Sequence, residues 1–506
     1  MQECTLQHAT CNRAGSGRLP TRLLDLSAFN SDQDVRLHEP QNEIAQYICL
    51  SHCWGSYRPL KLEKATLEVF KSRISWNSLP LTFRDAISFA RKLGVKYIWI
   101  DSLCIIQDDR DDWERESANM AAIYYGSLLT LAATRAESSS VGMFARIPPE
   151  FEEHELISGT GLNGVPYSIF VRIDHGHQEG SIPVKEHPLL TRAWVFQERL
   201  LSSRVLHFGH FELLWECAEA TSCECLRSKY IPEKLFINQT VAFKRSWNFL
   251  LGNATAHTAQ NKVIKKNSRV RAWHGIVREY TNLSLSYPSD RFPALSGLAK
   301  AIMAQTGDQY LAGLWKSSFL NDISWQASYK GLGSDGIKKN RRPSAWRAPS
   351  WSWVSVEANI YFHENGVHPR ANPPEILEAH CMASGLDPTG ELESGHILIS
   401  CHLLPATLQY DPQSDGDICY GLVLSLGGAP DDFAADYELA ELGETYVGQG
   451  ETVYVMYLST IMEAASDLNL VLRCVDKDMQ NYERIGIGMF GEAEGDRNPN
   501  AVITII

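Results

Sequence analysis

The sequence lacks an apolar run that could cross a bilayer: its longest nearly apolar stretch, 120–133, is too short and too polar. No charged-then-apolar leader opens it, so a cytoplasmic protein, cytosolic or nuclear, is expected. It also lacks positive charge. The formal net charge of −13 argues against a general nucleic-acid binder, and the basic runs 265–271 and 338–342 read as solvated loops. Ser51, His52 and Asp101 could suggest a hydrolase triad, but Ser51 has no G-x-S-x-G elbow around it. Twelve cysteines give three groupings of metal-ligand types: Cys4, His8 and Cys11; Cys49, His52 and Cys53; Cys217, Cys223 and Cys225. None has the double C-x-x-C spacing of a dependable zinc site, so reduced thiols and no metal are expected.

Against these absences stands one dense stretch, 96–125. Lys96–Asp101 reads as a strand covered on both faces, and it ends on a carboxylate where open parallel sheets bind ligands. After a polar loop, Asp111 with Glu114 predicts a helix from about Asp112. On that helix Trp113, Met120 and Tyr124 share a stripe flanked by Ile123, and Glu116 lies within it, whereas Glu114, Arg115 and Asn119 point elsewhere. A carboxylate on an apolar face is paired, neutralised or turned to a cleft. Glu116 is therefore either a core ion-pair member or a functional group.

Upstream, Tyr47–Ser51 predicts a strand whose carboxyl end carries Ser51, His52, Cys53, Trp54 and Gly55. Ser51 or His52 could donate to a ribose or phosphate oxygen, Gly55 would allow close backbone approach, and Trp54 could simply cover a loop. Residues 63–74 suggest a short helix. Thr82 with Asp85 resembles a capping box for a helix to Leu93, stopped by Gly94. The span 46–101 is thus a parallel βαβ unit, continued by the Glu116 helix and a third strand at 128–133. Ser51, Trp54, Asp101 and Glu116 are expected to meet at one sheet edge. Further on, Thr191 would cap a helix from Arg192 to Leu201, followed by two strands about a turn at Gly209 and His210. Arg192, Gln197, Glu198 and Arg199 could pair with Asp101 or Glu116, or touch substrate.

Three blocks, YICLSHCWG (47–55), YIWIDSLCIIQDDRDDWERESANMAAIY (97–124) and TRAWVFQERLLSSRVLHF (191–208), resemble in order and spacing the motifs of the fungal heterokaryon-incompatibility (HET) domain. WHGIVREY (273–280), YPSDRFPALSG (287–297), YLAGLW (310–315) and RAPSWSW (347–353) are similar to the region that follows it in many such proteins; His52 and Cys53 depart from the usual tyrosine and variable residue. The resemblance implies self/non-self recognition ending in growth arrest or cell death. HET domains also resemble Toll/interleukin-receptor (TIR) domains, flavodoxin-like modules of which many cleave NAD. LSHCWG (50–55) is similar to their first-strand box, and Trp113 with Glu116 to the helix holding their catalytic carboxylate. This likeness implies NAD as substrate rather than cofactor, with Glu116 stabilising an oxocarbenium-like ribose and Ser51, His52, Trp54, Gly55, Asp101 and Trp113 binding substrate. Nicotinamide leaves neutral, so one glutamate is chemically sufficient.

The expected organisation is an approach segment at 1–44 with a possible edge strand at 21–26, a TIR-like α/β HET domain at 45–225 with an insertion near 135–190, a helical region at 226–346, and a β-rich domain at 347–506. Helices are expected at 240–251, 262–282 and 291–306, and a small sandwich or barrel at the end. The partners implied are an incompatibility protein and a homo-oligomer on activation, with no nucleic acid and no membrane span. The alternatives are a non-enzymatic adaptor acting by HET self-assembly, and an enzyme using Cys53 or Cys104 as nucleophile.

Overall fold

The computed structural model describes residues 1–13, 17–29, 33–55, 60–146, 149, 152–171, 187–224, 244, 259–328, 330–333, 336–338, 340–363, 373–412, 418–424, 431–461, 466–490 and 498–506. The chain divides into two units, Met1–Phe249 and Leu250–Ile506.

In the first unit, β1 (Leu23–Asp25), β2 (Arg36–His38), β3 (Tyr47–Ser51), β4 (Tyr97–Ile100), β5 (Leu129–Ala132), β8 (Arg204–Phe208), β9 (Leu213–Cys217) and β10 (Thr221–Cys223) form one sheet. A separate hairpin pairs β6 (His154–Thr160) with β7 (Pro166–Val171). The sheet order is β10-β9-β8-β5-β3-β4-β1-β2, and β4, β3, β5 and β8 are mutually parallel. Both flanks are antiparallel. The expected parallel sheet is therefore the centre of a mixed one. Residues 21–26 join it as β1, and β2 pairs outside that strand.

Helices α2 (Leu67–Ser72), α3 (Leu81–Lys92), α5 (Arg110–Gly126) and α6 (Ala193–Leu201) lie between the strands, with α1 (Gln2–Gln7) at the start and the single turn α4 (Asp101–Cys104) after β4. The chain moves to one side of β3 through α3 and to the other through α5 and α6, so the helices cover opposite faces. Strand alternation divides the sheet accordingly. Ile48, Leu50, Ile98, Ile100, Leu129 and Leu131 share a buried apolar cluster with Phe83, Ala86, Ile87 and Ala90 of α3. Each large side chain buried there contributes roughly 1.5–3 kcal/mol. The alternate residues meet α5 and α6 and are more polar. Tyr47 Oη donates to the Ile123 carbonyl at 2.6 Å, Trp99 sits edge-on to Tyr124, and the Thr130 and Ser202 hydroxyls are 2.7 Å apart.

Several expected helix starts are displaced. The strand ends at Ile100, and Asp101 opens α4 instead. Asp109, not Asp111, caps α5 by accepting from Asp112 N, because its carboxylate reaches the first free amides. No capping box forms on Thr82: α3 begins behind Pro80, and Thr82 Oγ1 and Asp85 accept instead from Gly142 N and Met143 N. Thr191 likewise caps nothing in α6; its hydroxyl donates to the Pro188 carbonyl. Gly94 does end α3, at φ +73°.

In the second unit, α7 (Ala259–Thr281) and α8 (Pro293–Thr306) match two expected helices; the expected one at 240–251 lies outside the described residues except for Lys244. Short pairs follow: β11 (Tyr310–Leu311) with β12 (Leu314–Trp315), β13 (Trp325–Ser328) with β16 (Asn359–Phe362), and β14 (Lys330–Gly333) with β15 (Gly336–Lys338). Trp273, Trp315 and Trp325 are buried, as core anchors should be. The strands β17 (Glu375–Ala383), β18 (Leu392–Pro412), β19 (Ile418–Leu424), β20 (Asp431–Ala435), β21 (Thr452–Ile461), β22 (Ser466–Asp476), β23 (Asn481–Phe490) and β24 (Asn498–Ile505) form the last sheet. Its pairing closes on itself through β18-β19-β20-β23-β22-β21-β18, which makes a barrel and removes the edges of those strands. Arg484, fully buried, pins it: the guanidinium pairs with Asp436 at 2.8 Å, donates to the Ile323 and Trp325 carbonyls and stacks over the Trp325 ring.

Candidate functional site

The chain reverses direction across the sheet at β3, so the carboxyl ends of β3 and its neighbours form the crevice where doubly wound sheets bind ligands. Asp101, at the end of β4, accepts from the Trp54 indole N–H at 2.8 Å and from Ser102 N at 2.7 Å, and its Oδ1 lies 3.6 Å from His52 Nδ1. The Asp101 side chain keeps 23% of its exposure, and Trp54 is half-buried. His52 is buried edge-on to Phe83; neither ring nitrogen has a hydrogen-bond partner among the described residues, and burial lowers its pKa. Arg192 closes the rim by donating to the His52 carbonyl at 2.6 Å. Gly55 has φ +75°, and a Cβ there would lie 2.3 Å from Ser138 Cβ, so only glycine lets the 51–55 loop seat against 134–143.

Behind this rim lies Glu198 of α6, which is buried. Burial raises its pKa to about 7, the negative Asp101 adds to the rise, and the Ser51 and Tyr124 hydroxyls and Arg192 offset only part of it. Among the described residues, Glu198 Oε2 has no partner of ordinary hydrogen-bond geometry. A buried carboxyl raised toward neutrality near the partly exposed Asp101 has the character of a candidate acid–base group. The sequence marks Glu198 only as a possible ion-pair or substrate-contact residue, because nothing in its own helix shows that Ser51 and Tyr124 converge on it.

Glu116 is not part of that cluster. It lies instead in a buried ion network on Arg22, a residue of the approach segment: Oε1 is 3.9 Å from Arg22 Nη2 and 3.8 Å from Arg115 Nε. Arg22 also donates to the Cys104 carbonyl at 2.7 Å and pairs with Asp112 at 2.5 Å. Against the cost of burial, Arg22 and the Ile106 N–H hold Asp112 below the usual carboxylate range, whereas burial pushes Glu116 up. Of the expected meeting of Ser51, Trp54, Asp101 and Glu116, the structure joins Trp54 to Asp101, places Ser51 beside Glu198, and sets Glu116 apart; Trp113 is half-buried on α5.

A third buried carboxylate, Glu216, accepts from Arg199 at 2.7 Å, contacts His207 at 3.2 Å and pairs with Lys244 at 2.8 Å. Despite full burial, Arg199 and Lys244 hold its pKa far below normal. Burial pushes the Cys104 thiol up to about 12 and raises Cys53, which removes the thiolate character that a nucleophile at either position needs. Among the described residues, one group has metal-ligand geometry: Cys4, His8, Cys11 and Cys217.

Residues 47–198, which carry the three sequence blocks, match the family model described as Heterokaryon incompatibility protein (HET). This stretch is a HET domain. No curated protein and no solved structure matches the chain. The rim and the buried Glu198 both belong to the HET domain, with Glu198 at the last matched position.

Proposed function

We propose that this protein is an effector of fungal heterokaryon incompatibility that triggers cell death, and that its HET domain acts by hydrolysing NAD to nicotinamide and ADP-ribose. What supports the reading is the partly exposed Asp101, tied to the Trp54 indole at the carboxyl edge of the sheet, together with the buried Glu198, whose pKa burial and the negative Asp101 raise to about 7. As the nicotinamide–ribose bond breaks, its electron pair leaves with neutral nicotinamide and positive charge develops on the ribose. A fixed carboxylate facing the ribose stabilises that charge, a role that suits Asp101. Water then adds to the ribose carbon and its proton passes to a base, for which a group titrating near 7 is suited; Glu198 fills that role. Trp54, its indole tethered to Asp101, offers a stacking surface. Glu116 could serve as the catalytic carboxylate only if its Arg22 contact opened.

A second reading, signalling by self-assembly, draws on the β6–β7 hairpin. Both strands are exposed throughout, with Leu156, Ile157, Tyr167, Ile169, Phe170 and Val171 open to solvent. A lone two-stranded hairpin is marginal in water and gains by pairing with a second copy of the chain.

The test is nicotinamide release from NAD by the purified chain, with and without a crowding agent, for wild type, Asp101→Asn, Glu198→Gln and Glu116→Gln, with molar mass followed by light scattering. Loss of at least about 100-fold in Asp101→Asn and Glu198→Gln, with Glu116→Gln near wild type, is expected. Loss confined to Glu116→Gln would overturn the site assignment. NAD left intact by a wild-type chain whose mass rises with concentration, and does so no longer in Phe170→Asp, would replace the enzyme with the assembly reading.

A further inference from the structure

We propose that Cys4, His8, Cys11 and Cys217 form a structural zinc site that clasps the start of the chain to the sheet edge. Their ligand atoms all lie within 4.8 Å of one another, and Cys217 Sγ is 3.3 Å from His8 Nδ1. A tetrahedral zinc ion with Zn–S of about 2.3 Å sets sulfurs about 3.8 Å apart and a sulfur and an imidazole nitrogen about 3.6 Å apart. Only small side-chain adjustments separate the two arrangements. Three thiolates and one imidazole suit a borderline-soft ion with no geometric preference of its own, and four protein ligands leave no open position, so the site is structural rather than catalytic.

The local fold supports this independently. Cys4, His8 and Cys11 are spaced i, i+4 and i+7, which brings them to one side of α1 and the 3-10 turn Ala9–Arg13 that follows. Within residues 1–11, Cys4 and Cys11 are the only buried side chains, and Leu6 is 83% exposed. A six-residue helix does not persist alone in water, and α1 has no apolar face to dock. What it does bury is its ligand set. On the other side, Cys217 ends β9, and the turn beyond it aims the Ala220 N–H at the sulfur at 3.3 Å, the kind of amide contact that supports a metal-bound thiolate. Glu219 of the same turn accepts from Thr10 N at 2.8 Å, so the two segments are held in register beside the cluster. A dication would supply the charge that lets the buried thiols bind as thiolates.

All described cysteines are free thiols, which leaves a reduced thiol cluster and a disulfide as the competing outcomes. The full chain, purified without chelator from zinc-supplemented medium, is expected to carry about one zinc per chain by elemental analysis, and Cys419→Ser, at an exposed site, to keep it. Cys217→Ser should lose at least nine-tenths of it. His8→Ala, which touches the half-buried ligand and spares the core, should fold and lose zinc to a chelator at least tenfold faster. Cobalt in place of zinc should give thiolate-to-metal absorption that diminishes in Cys217→Ser. Less than a tenth of a zinc per folded wild-type chain, undiminished zinc in both variants, or a disulfide among Cys4, Cys11 and Cys217 in the purified chain would overturn the proposal.

Discussion

Glu198 and Glu216 are both buried in the same unit, one on α6 and the other on the strand pair beyond it, yet they titrate in opposite directions. Glu216 has two cations and a histidine within 3.2 Å. Glu198 has two hydroxyls and a neighbouring aspartate, and the opposing charge that acts on it, Arg192, has already committed a donor to a backbone carbonyl. Burial raises both carboxyls; the company each keeps decides the outcome. A fully compensated carboxylate is a structural strut. An undercompensated one is held at a cost that only a function, or a partner absent from the described residues, would offset.

The largest effect is expected at Glu216. Changing Glu216→Gln removes the carboxylate that the buried Arg199 and Lys244 share, and stability should fall by about 3–5 kcal/mol, read as an earlier urea transition of the first unit. An unchanged midpoint would mean that water already reaches the network. Glu198 comes next, through pH. Its folded pKa, about 7, lies above the ordinary 4.5, so between those values the folded chain holds a proton that the unfolded chain has released. Its protonation therefore favours the fold fully below about pH 4.5, and that advantage is lost as pH rises to about 7, on the order of 3 kcal/mol in all. Glu198→Gln should flatten this part of the stability–pH curve and leave the chain more stable than wild type at pH 8. A slope that survives the substitution would place the titration elsewhere.

The sequence shows the frame of this unit more readily than its contents. Tyr47–Ser51 and the strand at 129–132 emerge as short apolar runs and the α3 helix from its helical period, because the strands are buried on both faces and the helix on one. The α5 cap is displaced because Asp109 and Asp111 are equally good acceptors locally, and only the path of the loop from Cys104 selects one. Least legible are the features that depend on distant partners. Cys217 completes its cluster only through the fold, Ser51 and Tyr124 reach Glu198 from two other elements, and Arg22, in a stretch that reads as an approach segment, supplies the cation beside Glu116. Glu116 stands out in the sequence as a carboxylate on an apolar stripe, but the stripe does not reveal which neighbour it meets.

That neighbour makes Glu116 the finest test of the contrast. It shares Arg22 with Asp112, which sits closer, at 2.5 Å against 3.9 Å, so removing the Glu116 charge leaves Arg22 paired. Burial has also raised the Glu116 pKa, which means that the folded state gains little from its ionised form. Glu116→Gln, which keeps the shape and removes the charge, should therefore lower stability, read from the urea transition, by no more than about 1 kcal/mol, well below Glu216→Gln. Asp112→Asn, made alongside, should cost more, because Arg22 then keeps only the longer of its two carboxylate contacts. If Glu116→Gln proves as damaging as Asp112→Asn, the 3.9 Å contact is tighter in solution, and Glu116 belongs with Glu216 among the struts.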